Sequence, residues 1–78
     1  MKMINLNIFD DGVWIATITV IDGARFLHAR SSREWSEMKR LLDASEKLHE
    51  ADSKMDILEN LISMLHNFNY STELTDKE

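Results

Sequence analysis

Two Asp-Gly pairs, Asp11-Gly12 and Asp22-Gly23, bracket the run VWIATITVI and hold the only glycines of a chain that has no proline. Asp-Gly between alternating runs is the strongest short signal for a tight β-hairpin, because a turn with two left-handed residues favours these side chains. Residues 1–30 therefore read as a β-meander, with strands at about 2–9, 13–21 and 24–30.

The register follows from the faces. A two-residue first loop would set Ile8 opposite Ile15 and Leu6 opposite Thr17. A three-residue loop, Asp10-Asp11-Gly12, sets Ile8 opposite Trp14, Leu6 opposite Ala16 and Ile4 opposite Ile18. Directly paired residues share a face, and a one-residue slip carries a whole strand's apolar set across the sheet. The three-residue loop, with Gly12 as a left-handed bulge, is the expectation. A two-residue second turn at Asp22-Gly23 pairs Val20 with Arg25, Ile18 with Leu27 and Ala16 with Ala29. The expected core face is then Ile4, Leu6, Ile8, Trp14, Ala16, Ile18, Val20, Leu27 and Ala29. The open face is Asn5, Asn7, Phe9, Val13, Ile15, Thr17, Thr19, Phe26, His28 and Arg30.

Ser31-Ser32-Arg33-Glu34 has the form of a capping box, in which Ser31 accepts from the N–H of residue 34 while Glu34 reaches back. Apolar residues then recur at helical spacing to Phe68, in one stripe through Trp35, Met38, Leu41, Leu42 and Leu48 and another through Met55, Leu58, Leu61, Ile62, Leu65 and Phe68. Ser53 and Asp56 suggest a second helix start, giving helices at about 32–50 and 53–68. The fold class expected is α+β: a three-stranded antiparallel meander followed by two helices on one sheet face (βββαα), a single domain over 1–68. Residues 69–78 read as a polar flexible tail. One alternative stands. Leu41, Ala44, Leu48, Ala51, Met55, Leu58, Ile62 and Leu65 alternate in steps of three and four, a heptad seam. A single helix along that seam would be about 50 Å long and would need a second chain to cover it.

A 78-residue chain without cysteine has no disulfide staple and no thiolate metal site. It buries roughly 60% of its unfolded surface, so its stability is modest. No apolar run reaches the ~18 residues of a membrane span. The start, MKMINLNIF, lacks the long apolar segment of a signal peptide, which leads to the expectation of a cytoplasmic protein. Charge is unevenly placed. Residues 1–40 hold six basic and five acidic side chains, and residues 41–78 hold three and nine. An acidic half repels phosphates and attracts basic proteins.

Dedicated chemistry is not visible. His28, His49 and His66 are scattered, and His49 is followed by Glu50 but not by a histidine at 53, so the zinc-protease spacing is missing. No metal or cofactor is expected. Ser31 and Ser32 are explained by capping, and Asp10-Asp11 by turn formation. The expectation is a non-enzyme.

The open face offers Asn7, Thr17, His28 and Arg30, which can hydrogen-bond base edges or phosphates. Over about residues 4–45 the coarse order of a meander and then a helix resembles the small β-sheet arm-binding modules of phage integrases, a likeness of topology without a shared motif. It implies a DNA-binding module on the open face. The charges depart from that pattern: Lys2 is the one base of the first strand, and Asp10, Asp11 and Asp22 occupy the loop tips.

The open face is also apolar enough for a protein interface, and the outer strands leave edges to which a partner strand could add. The favoured expectation is a small acidic protein-binding regulator or inhibitor that occludes a functional, basic surface of a target. Its build is similar to that of phage-encoded inhibitors such as anti-CRISPR proteins, antitoxins or immunity proteins. Ile15 and Phe26 are the expected apolar anchors, and Glu46, Glu50, Asp56 and Glu59 the expected charges. A DNA-binding module is the alternative, and a structural homodimer on the 41–65 seam a second one.

Overall fold

A computed structural model describes residues 3–48 and 54–77. The chain runs β1 (Met3–Asp10), β2 (Val13–Ile21), β3 (Ala24–Ala29), α1 (Ser32–Leu48), α2 (Lys54–Asn67) and β4 (Ser71–Lys77). The four strands form one antiparallel sheet in the order β3-β2-β1-β4. Both helices cover the same face, α1 against β2 and β3 and α2 against β4. The architecture is α+β, as expected, with one strand more than the meander.

The second hairpin has the expected register, with Val20 opposite Arg25, Ile18 opposite Leu27 and Ala16 opposite Ala29. Asp22 and Gly23 both take positive φ, the conformation that the Asp-Gly pair permits. The first hairpin corrects the expectation. Asp10 lies opposite Val13, so the loop is the two residues Asp11 and Gly12, again both at positive φ. A bulge follows in the strand instead of the loop: Phe9 pairs with Trp14 but Ile8 pairs with Ala16, which leaves Ile15 as the extra residue. Beyond it, Leu6 faces Ile18 and Ile4 faces Val20, two residues along from the expected pairs but on the same faces.

The bulge decides which side chains enter the core. Ile15 and Ala16 are consecutive and both buried, at 2% and 0% exposure. Ile15, expected on the open face, therefore belongs to the core, and Trp14 takes the open face in its place. A bulge bends the strand and breaks the alternation at one point, so two neighbours can turn inward together. The remaining core is Ile4, Leu6, Ile8, Ile18, Val20, Met38, Leu42, Leu58, Leu61 and Leu65, with Leu27 and Ala29 packed against it. Each fully buried aliphatic side chain contributes about 1.5–3 kcal/mol relative to exposure.

The start of α1 is the capping site read from the sequence. The Glu34 backbone N–H donates to Ser31 Oγ at 3.3 Å, and the Ser31 hydroxyl donates to Glu34 Oε1 at 2.9 Å. Arg30 adds two hydrogen bonds to the same carboxylate, both at 3.0 Å. Donation from Arg30, then from Ser31, holds the Glu34 carboxyl below the ordinary glutamate value. A lowered pKa stabilises the fold above the ordinary value, and that gain is lost as pH falls through it. The melting temperature of wild type should therefore exceed that of Glu34→Gln near neutral pH. The difference should shrink toward zero in acid, measured by circular dichroism across a pH series.

α1 is described to Leu48 and α2 from Lys54, and the segment 49–53, where the break was expected, lies outside the described residues. Leu58 and Leu65, two positions of the heptad seam, are buried within this chain at 1% and 0% exposure. They are therefore core residues of this chain, and the helical stretch folds back as two helices instead of running on as one long helix. The largest dimension of the fold, 30 Å, is also too short for a helix of that length. Ser45, fully buried on α1, bonds back to the Leu42 carbonyl at 2.8 Å.

The expectation of a flexible tail is corrected as well. The end of α2 is a Schellman motif: Asn69 has φ 67°, its N–H bonds to the His66 carbonyl at 3.1 Å, and the Tyr70 N–H bonds to the Leu65 carbonyl at 2.9 Å. The reversal returns the chain as β4 alongside β1, with Leu6 opposite Leu74 and Asn7 opposite Glu73. Tyr70 packs against the core, and its hydroxyl donates to Glu37 Oε1 on α1 at 3.1 Å. Burial, then the Glu37 carboxylate, raises the Tyr70 pKa.

Candidate binding face of the sheet

The face of the sheet away from the helices is built from cross-strand rows. His28, Thr17, Asn7 and Glu73 form one row across all four strands, and Phe26, Thr19, Asn5 and Thr75 form the next. Within each row the threonine hydroxyl donates to the asparagine carboxamide oxygen, Thr17 to Asn7 and Thr19 to Asn5, both at 2.7 Å. With its oxygen engaged, each asparagine offers its carboxamide N–H groups as donors. The β-branched threonines suit the strand, and their pairing with asparagine fixes both rotamers.

Aromatic groups stand beside these polar rows. The Trp14 indole N–H donates to Thr17 Oγ1 at 2.8 Å, and the Trp14 ring lies 5.6 Å from the His28 ring, tilted by 30°. Phe26 is 56% exposed in the neighbouring row. Among the described side chains of this face, Glu73 is the one carboxylate and no lysine or arginine is present. Arg30, expected here, is drawn to Glu34 at the start of α1.

The structure thus gathers three of the four expected nucleic-acid contacts, Asn7, Thr17 and His28, into one row and removes Arg30 from it. Of the expected protein anchors it keeps Phe26 on the open face and buries Ile15. Glu59 is exposed on α2. Glu46 and Asp56 lie within α1 and α2 by backbone, but their side chains, and all of Glu50, fall outside the described residues. Trp14, the Thr19–Asn5 pair, Glu73 and Thr75 complete the face. Asn5 and Thr19 were legible as open-face residues. Trp14 was not, because simple alternation sends it to the core.

Concavities outside this face include two beside α1. One, of about 340 Å³, runs between β3 and α1 beside Arg25, Leu27, Trp35 and Lys39. The other, of about 580 Å³, is polar and lies where Arg30, Arg33, Glu37 and Tyr70 meet Asp10. Among the described residues no three His, Asp or Glu side chains gather to hold a metal ion. No helix among them is long and apolar enough to cross a membrane. The chain matches no protein family, no curated protein and no solved structure.

Proposed function

We propose that this chain is a small cytoplasmic, non-enzymatic regulator or inhibitor that binds a protein target through the open face of its sheet. The observation that supports this reading is the make-up of that face: Phe26 exposed and Trp14 half-buried beside neutral Thr–Asn pairs that are already hydrogen-bonded. An aromatic centre with a polar surround is the pattern of a protein interface. Groups whose rotamers are set before contact lose little further freedom on binding. A nucleic-acid surface takes most of its affinity from cations on phosphates, and the described side chains of this face supply none.

The mode of action proposed is occlusion of a basic surface. Glu73 on the face and Asp11 and Asp22 in the two hairpin turns border the aromatic centre with negative charge. Glu46, Glu50, Asp56 and Glu59 would add to the field that steers a basic target, which acts on the rate of encounter more than on the final affinity. Phe26→Asp should lower affinity for the target by about 2 kcal/mol or more, the loss expected of a central aromatic anchor. Surface plasmon resonance against the partner purified from the source cells measures it, with circular dichroism confirming that the variant is folded. Glu59→Lys should slow association and flatten its salt dependence. Unchanged binding by Phe26→Asp would remove the face from consideration. Saturable binding of a DNA duplex at micromolar protein in about 50 mM salt would transfer the reading to nucleic acid.

A further inference from the structure

The sheet has two edges, β3 and β4. The β3 edge is partly closed, because the Trp35 indole N–H on α1 donates to the Leu27 carbonyl at 3.2 Å. Among the described residues β4 pairs with β1 alone, so its other side is an open row of backbone donors and acceptors.

The hairpins decide which residues form that row. The two-residue turn at Asp22-Gly23 makes Ile21 and Ala24 a hydrogen-bonded pair, and the Arg30 N–H reaches the Ile15 carbonyl at 2.8 Å. The backbone groups of Thr17, Thr19 and Ile21 therefore point to β3, and those of Ala16, Ile18 and Val20 point to β1. Their partners Ile8, Leu6 and Ile4 bond to β2 in return, which leaves Asn7 and Asn5 to bond to Glu73 and Thr75 of β4. The Thr75 hydroxyl, donating to the Asn5 carbonyl at 3.5 Å, agrees with this parity. The backbone groups of Thr72, Leu74 and Asp76 then point outward. Leu74 lies opposite Leu6, on the face that the helices cover, yet it is 44% exposed, so α2 leaves space above the edge.

We infer that this edge takes a second copy of the same chain, β4 against β4, antiparallel about a two-fold axis at Leu74. In that register all of 71–77 is paired, and the outward groups of Leu74 and Leu74, and of Thr72 and Asp76, exchange about six main-chain hydrogen bonds. Leu74 covers its own copy, Glu73 lies opposite Thr75, and no like charges face each other. Neighbouring registers are worse. Axes at Glu73 or Asp76 set a carboxylate against itself, and an axis at Thr75 pairs only 73–77 and sets Leu74 against Asp76. An axis at Leu74 is isologous and closed, so assembly stops at two copies. The dimer is independent of what the open face binds, but it doubles that face. The row ending in Glu73 continues into Thr75 of the second copy, with one Phe26 toward each end of an eight-stranded sheet.

The test is sedimentation velocity of the full chain from about 10 µM to about 1 mM, where a monomer–dimer transition centred near about 100 µM is expected. Leu74→Pro removes an outward N–H and no bond to β1, a change that edge strands accept. Leu74→Lys sets a charge against its own copy. Each variant, confirmed folded by circular dichroism, should weaken dimerisation at least about tenfold. The chain has no cysteine, so Leu74→Cys supplies a single thiol. Hydrogen-bonded antiparallel partners lie about 5.5 Å apart between Cα atoms, within disulfide reach, so oxidation should yield a covalent dimer. Thr75→Cys, which faces Glu73 of the second copy, should not. A monomer throughout the concentration range would overturn the inference. So would a dimer that both Leu74→Pro and Leu74→Lys leave intact, or one that is crosslinked through Thr75→Cys and not through Leu74→Cys.

Discussion

Ile15→Ala should cost about 3 kcal/mol of stability, within the range for removing a buried isoleucine side chain beyond Cβ. For a domain of this size each kcal/mol shifts the melting temperature by about 4–8 °C, so a fall of more than roughly 10 °C is expected. Phe26→Ala should stay within about 1 kcal/mol of wild type, as exposed substitutions do. The contrast matters because the two side chains were expected to share the open face. Only the bulge between Phe9–Trp14 and Ile8–Ala16 separates them, one into the core at 2% exposure and the other into solvent at 56%. Thermal melts of the two variants followed by circular dichroism decide it. Equal stabilities would mean that Ile15 is not a core residue and that the strand follows simple alternation.

Truncation after Tyr70 should have a larger effect. It removes β4, which pairs with β1 over seven positions from Met3–Lys77 to Phe9–Ser71. Each net hydrogen bond is worth about 0.5–1.5 kcal/mol. A domain of this length has only about 4–12 kcal/mol of total stability at the usual value per residue. Losing that ladder and the packing beside it should consume most of this margin. The expected result is loss of a cooperative thermal transition, together with self-association through the newly opened edge of β1. Sedimentation velocity and a thermal melt would show both. A truncated chain that melts like the full one would restore residues 71–77 to the status of a tail.

These two variants also mark where the sequence stopped being legible. The second hairpin could be read to the residue, because Asp22-Gly23 sets both loop length and register. The first hairpin could be read in part. The faces required an extra residue between β1 and β2, and that argument was sound. It could not say whether the extra residue sits in the loop or in the strand. The loop took the tightest form that Asp11-Gly12 allows, and the compensation moved to Ile15, where a bulge puts an aliphatic side chain in the core in place of Trp14.

The fourth strand was hidden for a different reason. STELTDK has few apolar residues, since an edge strand outside the main core needs few, and its charges read as a solvated tail. A signal was nevertheless present in Asn69, a residue that tolerates the left-handed cap ending α2, followed by the strand-favouring Thr72, Leu74 and Thr75. The open-face row of Asn7, Thr17 and His28 was legible because it depends only on strand parity. Trp14 and Glu73 were not, because they depend on the bulge and on β4.

The antiparallel pairing of β1 with β4 brings Met3 and Lys77 directly opposite each other, at the end of the sheet that carries the Asp22-Gly23 turn. Both ends of the folded unit therefore leave from one point. The domain could be spliced into a surface loop of another protein, or rejoined by a short linker and reopened at Asp11-Gly12, without stretching any strand. A tether at that single point would leave the open face of the sheet clear.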